Sequence, residues 1–259
     1  MPAALVTGVS RRAGIAATVA RTLARDRWDV AATCWRPYDT TEPWGSNPEE
    51  AEQIVDELRG LGVKAALHED DLSDAAAPAR IIAAAEAAVG PLTALVCVHA
   101  HSETGGLLET DAEQLDRHLV VNVRGTALLM AEFARRFGGE HGTGRIVNFS
   151  SGLPLAGEIA YAATKGAIEW MTISAAVELG PRGITVNAID PGPTDTGWMS
   201  SELRESAERA TPLGRVGQPQ DAAELVAFLC SERAGWITGQ ILRSDGGFSW
   251  VGVPRVGRD

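Results

Sequence analysis

The sequence predicts an α/β protein with a doubly wound parallel sheet of seven strands and helices on both faces. Three observations lead there. Short apolar runs of strand length alternate with longer stretches of helical periodicity along the whole chain. The runs are apolar throughout rather than alternating, as strands covered on both faces are. Gly8, Asp71, Val98, Ser151 and Pro191 all fall where runs end, and ligands of such sheets sit beyond the carboxyl ends of the strands.

Ala3 to Thr7 is the first run, closed by Gly8, and Ile15 to Arg25 carries the first helical pattern. Asp29 to Cys34 reads as the second strand. The polar stretch from Arg36 to Pro48 contains Pro37, Pro43 and Pro48 and reads as a loop, long for such a connection, which points to function. Pro48 to Leu61 reads as a helix with Asn47 as N-cap. Val63 to Glu69 is the third strand. Ser73 or Asp74 is expected to cap an Ala-rich helix reaching Val89, with Gly90-Pro91 closing it. Leu92 to Val98 is the fourth strand.

A loop through Gly105-Gly106 leads to one long helix from Asp111 to Phe137. Gly138, Gly139, Gly142 and Gly144 break it before the fifth strand, Arg145 to Phe149. The helix bearing Tyr161 runs to Leu179. Ile184 to Ile189 is the sixth strand, followed by Pro191-Gly192-Pro193. Trp198 to Arg209 and Asp221 to Cys230 read as helices, and Ile237 to Arg243 as the last strand. With no repeat and no linker, residues 1–259 are expected to form one domain, ending in a loosely ordered tail from Val251.

Composition narrows the function. The 259 residues carry a formal charge of -11, which argues against a nucleic-acid partner or an anionic membrane surface. Cys34, Cys97 and Cys230 are far apart in apolar settings and read as buried thiols, and no Cys/His spacing suits a metal. No apolar run approaches the ~18 residues of a membrane span. A strand pattern begins within the first residues with no signal peptide ahead of it, so a cytoplasmic protein is expected.

Two stretches carry chemistry. Tyr161 and Lys165 are four residues apart in a helical pattern, which stacks them on one face. An ammonium beside a phenol favours the phenolate and makes it a usable proton donor or acceptor. Ser151, upstream, could hold a carbonyl or alcohol oxygen near that phenol. The other stretch, Thr7-Gly8-Val9-Ser10-Arg11-Arg12-Ala13-Gly14-Ile15-Ala16, is the first strand-to-helix turn. Glycine there lets backbone approach a pyrophosphate, and the helix N-terminus favours its charge. An acid about 20 residues further on would grip the ribose of NAD. Cys34, Trp35 and Arg36 stand there instead. The missing carboxylate, with Arg11, Arg12 or Arg36 available for a 2′-phosphate, favours NADPH over NADH. The other reading has Arg36 facing water while Asp39 folds back to the ribose.

Together these residues resemble a short-chain dehydrogenase/reductase, over nearly the whole chain. The glycine turn, Val120-Val121-Asn122-Val123-Arg124-Gly125 and the Ser151/Tyr161/Lys165 stretch occur in family order. So do Asn187-Ala188-Ile189-Asp190-Pro191-Gly192, Gly214-Arg215-Val216-Gly217-Gln218-Pro219, Ile237-Thr238-Gly239-Gln240 and Ser244-Asp245-Gly246-Gly247. The resemblance implies a Rossmann-type fold and an oxidoreductase that reduces a ketone to a secondary alcohol. Tyr161 would be the acid/base, and Lys165 would lower its pKa and hold the nicotinamide ribose. Ser151 would orient the substrate oxygen, and Asn122 would hold a proton-relay water. Thr7, Gly8, Ser10, Arg11, Arg12, Gly14, Ile15 and Arg36 would take the adenosine and pyrophosphate side. Asp71 would meet the adenine amino group with Leu72 beside the ring, and Pro191, Gly192 and Thr194 would line the nicotinamide. A small-molecule carbonyl substrate and a homotetramer (or homodimer) are implied, with the Asn122 and Tyr161 helices at one interface.

Two departures from the family pattern stand out. Cys97-Val98-His99-Ala100 replaces the usual Asn-Asn-Ala-Gly, and His99 is read as a satisfied histidine of the interior rather than a catalytic one. Ser151 and Tyr161 are also closer in sequence than usual, which should reshape the pocket. Both departures motivate an alternative, a non-redox member of the fold acting as a cyclase or a cofactor-binding regulator. Trp198 and Met199 could lid the substrate or simply pack a short helix.

Overall fold

The computed structural model describes residues 1–42, 44–151 and 157–250. Pro43, the run 152–156 between Ser151 and Tyr161, and the tail from Val251 lie outside them. Seven strands form one all-parallel sheet: β1 (Ala3–Thr7), β2 (Asp29–Cys34), β3 (Ala65–Glu69), β4 (Ala94–Cys97), β5 (Gly144–Phe149), β6 (Ile184–Asp190) and β7 (Ile241–Arg243). Their order is β3-β2-β1-β4-β5-β6-β7, a doubly wound Rossmann-type sheet as the sequence predicts.

The helices are α1 (Ile15–Arg25), α2 (Arg36–Thr41), α3 (Glu50–Gly60), α4 (Ala77–Val89), α5 (Ala112–His118), α6 (Thr126–Arg136), α7 (Ile159–Leu179), α8 (Ser201–Ala210) and α9 (Pro219–Cys230). Strand periodicity explains the two cores. On β1, Ala4 and Val6 face a core built with α1, α3 and α9. Ala3 and Leu5 face a second core built with α4, α6 and α7. Each strand is thus covered on both sides, which is why its sequence shows no polar alternation.

Several boundaries differ from the sequence expectation, each for a local reason. The stretch after β2 is not wholly loop: Pro37 sits in the first turn of α2, where its missing N–H costs nothing. Asn47 does not cap α3. Its Oδ1 accepts from Glu49 N at 3.1 Å in the preceding turn, and the cap position is Glu49. Asp74 likewise organises a turn ahead of α4, accepting from Ala76 N at 2.9 Å, so that helix begins at Ala77. Ser200, not Trp198, starts α8, its hydroxyl accepting from Leu203 N. β7 begins at Ile241 rather than Ile237.

The largest difference is in the long helix. Between α5 and α6 the chain widens into a π-helical segment, Leu119–Gly125, centred on Asn122. Gly125 is there because a Cβ would approach Leu72 Cβ to 3.2 Å. Among the described residues no helix is long and apolar enough to cross a membrane, and no His/Cys/Asp/Glu group could hold a metal.

Candidate active site

The first element of the site is the turn after β1. Gly8 takes φ +81°, and a Cβ on it would come within 3.1 Å of the His99 backbone, so this position needs glycine on both counts. Val9 N bonds Thr33 O at 2.8 Å and Ser10 N bonds Gly8 O at 3.1 Å, carrying the chain past the end of the sheet to Gly14. Gly14 is the N-cap of α1, with no side-chain cap and no acid in the first turn. The positive end of α1 is therefore left for an anion, and Ile15 anchors it against the core. These features fit a dinucleotide pyrophosphate.

The three arginines all have partners. Arg36 gives Nε to Glu69 Oε2 at 2.9 Å, its backbone N to Glu69 Oε1 at 3.0 Å and Nη1 to Pro48 O at 2.7 Å, and it pairs with Glu52. Arg12 faces Glu57 and Gln53 of α3. Arg11 lies 4.3 Å from the Trp44 ring centroid and 3.8 Å from the Asp39 carboxylate, and donates to Thr196 O at 3.3 Å. Asp39 itself is buried and accepts from Trp44 Nε1 at 3.0 Å, so it is anchored within its own segment.

Asp71 closes an Asx turn on Ser73, and Leu72 is buried in the second core beside Gly125. Across the sheet, Gly192 follows Pro191 at φ +59°, where a Cβ would strike Asp245 Cβ at 2.5 Å. Thr194 is buried, its hydroxyl within 3.2 Å of the Pro191 and Gly192 carbonyls. Trp198 hangs its indole N–H on Thr194 O at 3.1 Å and stays half exposed, standing at this loop rather than inside α8.

Tyr161 and Lys165 share one face of α7. Lys165 is 2% exposed, and its Nζ lies 5.3 Å from the Tyr161 ring centroid and donates to Phe149 O at 3.0 Å. Glu169, one turn on, accepts from Ser150 Oγ. Two side chains of α7 thus pin the last residues of β5, and Ser151 follows directly. Burial pushes the Lys165 ammonium down to about 8 and raises the Tyr161 phenol well above its usual value. Desolvation of both groups dominates, and the ammonium is turned to the Phe149 carbonyl.

Asn122 is fully buried and does something the sequence did not show. Its Oδ1 accepts from His101 N at 2.7 Å, and its Nδ2 donates to His101 O at 2.8 Å and Thr164 Oγ1 at 3.0 Å. Thr164 in turn bonds Tyr161 O. The side chain is thus a clamp between the β4 loop and the Tyr161 helix. Sequence reasoning missed Thr164 and His101 because both act across long sequence separations, with no motif spacing to mark them.

His99 is a satisfied interior histidine. Thr7 Oγ1 accepts the N–H groups of Val98 (3.0 Å) and His99 (3.2 Å), donates to Val96 O at 3.4 Å and lies 2.7 Å from His99 Nδ1. The other ring nitrogen, Nε2, lies 3.2 Å from Thr126 Oγ1, and the ring also meets the backbone of Val121. Burial first, and then the charge of Lys165, push its pKa down to about 3.

A sequence model of the family described as Enoyl-(Acyl carrier protein) reductase matches residues 8–249. An uncharacterized oxidoreductase, YjdA of Bacillus subtilis (strain 168), is 43% identical over 249 residues, covering 95% of this chain and 96% of that protein. A short-chain dehydrogenase/reductase from Serratia marcescens BCRC 10948 superposes with a TM-score of 0.85 at 33% identity, covering 96% of this chain and 98% of that one. The chain belongs to the short-chain dehydrogenase/reductase family. A family member from Burkholderia cenocepacia J2315, solved in complex with NADP, has the same TM-score of 0.85 at 34% identity, covering 96% and 98% of the two chains. Members of this family are oxidoreductases that bind a nicotinamide cofactor. The glycine turn and Pro191–Thr194 frame the carboxyl edge on which such a cofactor would lie.

Proposed function

We propose that the protein is an NADPH-dependent ketoreductase that converts a small-molecule ketone to a secondary alcohol. The observation that carries this reading is the convergence of Tyr161, Lys165 and the Ser150–Ser151 end of β5 at the sheet's carboxyl edge, beside a glycine turn shaped for a pyrophosphate. The cofactor, when bound, supplies the hydride. The chain's residues do the rest. Ser151 orients the carbonyl oxygen, Tyr161 gives it a proton, and Lys165 holds the nicotinamide ribose and stabilises the phenolate left on Tyr161. A phenol kept protonated by burial is in the form that reduction requires.

NADPH is favoured by the absence of an acid at Cys34–Arg36 and by the NADP complex of a relative at 34% identity. Arg36 is tied to Glu69 and Pro48, whereas Arg11 is held more loosely. Arg11→Ala is therefore expected to weaken NADPH binding about tenfold, ~1.4 kcal/mol, and Arg36→Ala to weaken it less. Titration of each variant with NADPH and NADH by tryptophan fluorescence checks this. A larger loss in Arg36→Ala would reverse the assignment.

The homotetramer (or homodimer) is supported by α7. Ala163, Gly166, Trp170, Ser174 and Val177 are exposed along one of its faces, with Trp170 at 72% and Val177 at 78%. That apolar stripe on the helix of Tyr161 suits a second copy. Light scattering should give a multiple of the chain mass, and Trp170→Glu should reduce it. A monomeric parent would refute self-association.

A further inference from the structure

The segment after β2 reaches further than the cofactor reading needs. In the sheet order β2 and β4 are separated by β1, so with strands about 4.8 Å apart their ends lie roughly 10 Å from each other. Tyr38, four residues past β2, spans that gap. Its hydroxyl lies 3.3 Å from both Ser102 N and Ser102 O in the loop after β4. Its ring packs against His101 at 5.4 Å between centroids. The segment therefore runs from the end of β2 to the loop after β4, and it is anchored at both ends. Trp44 bonds the buried Asp39, and Arg11 stacks on Trp44 while reaching to Thr196 beyond β6.

What Tyr38 rests on belongs to the catalytic machinery. His101 has both backbone groups clamped by Asn122, which is bonded to Thr164, and Thr164 to Tyr161 O. After burial and Glu158, the charge of Tyr38 is among the influences that raise the Tyr161 phenol. The two phenols are the only tyrosines of the chain.

We propose that Tyr38 is a specificity-determining residue of the catalytic pocket, delivered past the end of β1 to the loop after β4 beside the Asn122 clamp, where its ring selects ketones by bulk. The inference rests on the ketoreductase reading. A half-buried aromatic ring near the reacting carbonyl limits what sits beside it, and removing it should admit larger groups. Tyr38→Phe keeps the ring and should keep the selection.

The test uses acetone and acetophenone with NADPH. In Tyr38→Ala the ratio of kcat/KM for acetophenone over acetone should rise about tenfold, mostly through KM, while Tyr38→Phe stays within about threefold of the parent. A ratio unchanged in Tyr38→Ala overturns the proposal while leaving the ketoreductase reading intact. A second measurement needs no turnover. Protein labelled with 3-fluorotyrosine has two ¹⁹F resonances, assigned with Tyr38→Phe and Tyr161→Phe. Acetophenone added to the NADPH-saturated protein should shift both. Movement of Tyr161 alone overturns the role of Tyr38, and movement of neither overturns the catalytic reading with it.

Discussion

Tyr161→Phe is expected to lower kcat by about 10²–10⁴-fold, the range that a positioned acid/base contributes, with NADPH affinity within about threefold of the parent. The substitution removes one hydroxyl and keeps the ring against which Lys165 packs at 5.3 Å, so the fold of α7 should be unaffected. The readout is NADPH consumption with a ketone, paired with a fluorescence titration of the dinucleotide. Full turnover in the variant would remove Tyr161 from the chemistry. Unchanged binding with no ketone reduction in either protein would favour the non-redox reading of the fold.

The second large effect is at Lys165, where activity and stability should separate. Lys165→Met is expected to abolish most turnover, because no ammonium remains for the ribose or the phenolate. Its stability near pH 7 should stay close to that of the parent. The buried ammonium is costly, and methionine fills the same space. Loss of the bond to Phe149 O offsets part of that relief. The pH dependence gives a signed test. The folded value near 8 lies below the free value of 10.5, so between them the unfolded chain binds more protons. The parent should therefore gain stability as pH rises from about 8 to 10.5, by on the order of 3 kcal/mol, and the gain should vanish in Lys165→Met. Urea unfolding at stepped pH decides it, and parallel curves for the two proteins would show that Lys165 is not the buried charge described here.

How much of the site was legible depends on whether a residue acts locally. The pairing of Tyr161 with Lys165 follows from helical spacing, and Gly8 follows from the need for a positive φ at the end of β1. Asn122 was legible as a site residue but not as a clamp. Its partners, His101 and Thr164, are 21 and 42 residues away, and only the π-helical segment aims its amide at both. Arg36 reads as a phosphate ligand in sequence. The fold sets Glu69 beside it because β3 pairs with β2 in register at Cys34 and Glu69.

The sequence by itself determined the parallel α/β sheet, the place of the glycine turn and the pairing of Tyr161 with Lys165 on one helix face. Those depend on apolar periodicity and on spacings within one helix or turn. Only the tertiary structure decided where the buried polar groups send their hydrogen bonds. It holds His99 neutral between Thr7 and Thr126, turns Lys165 to Phe149 O, and carries Tyr38 past β1 to the loop after β4. The contacts of Thr7 with His99 and of Tyr38 with Ser102 close between strand ends whose neighbours are set by sheet order, and sheet order is not written in any local stretch of chain.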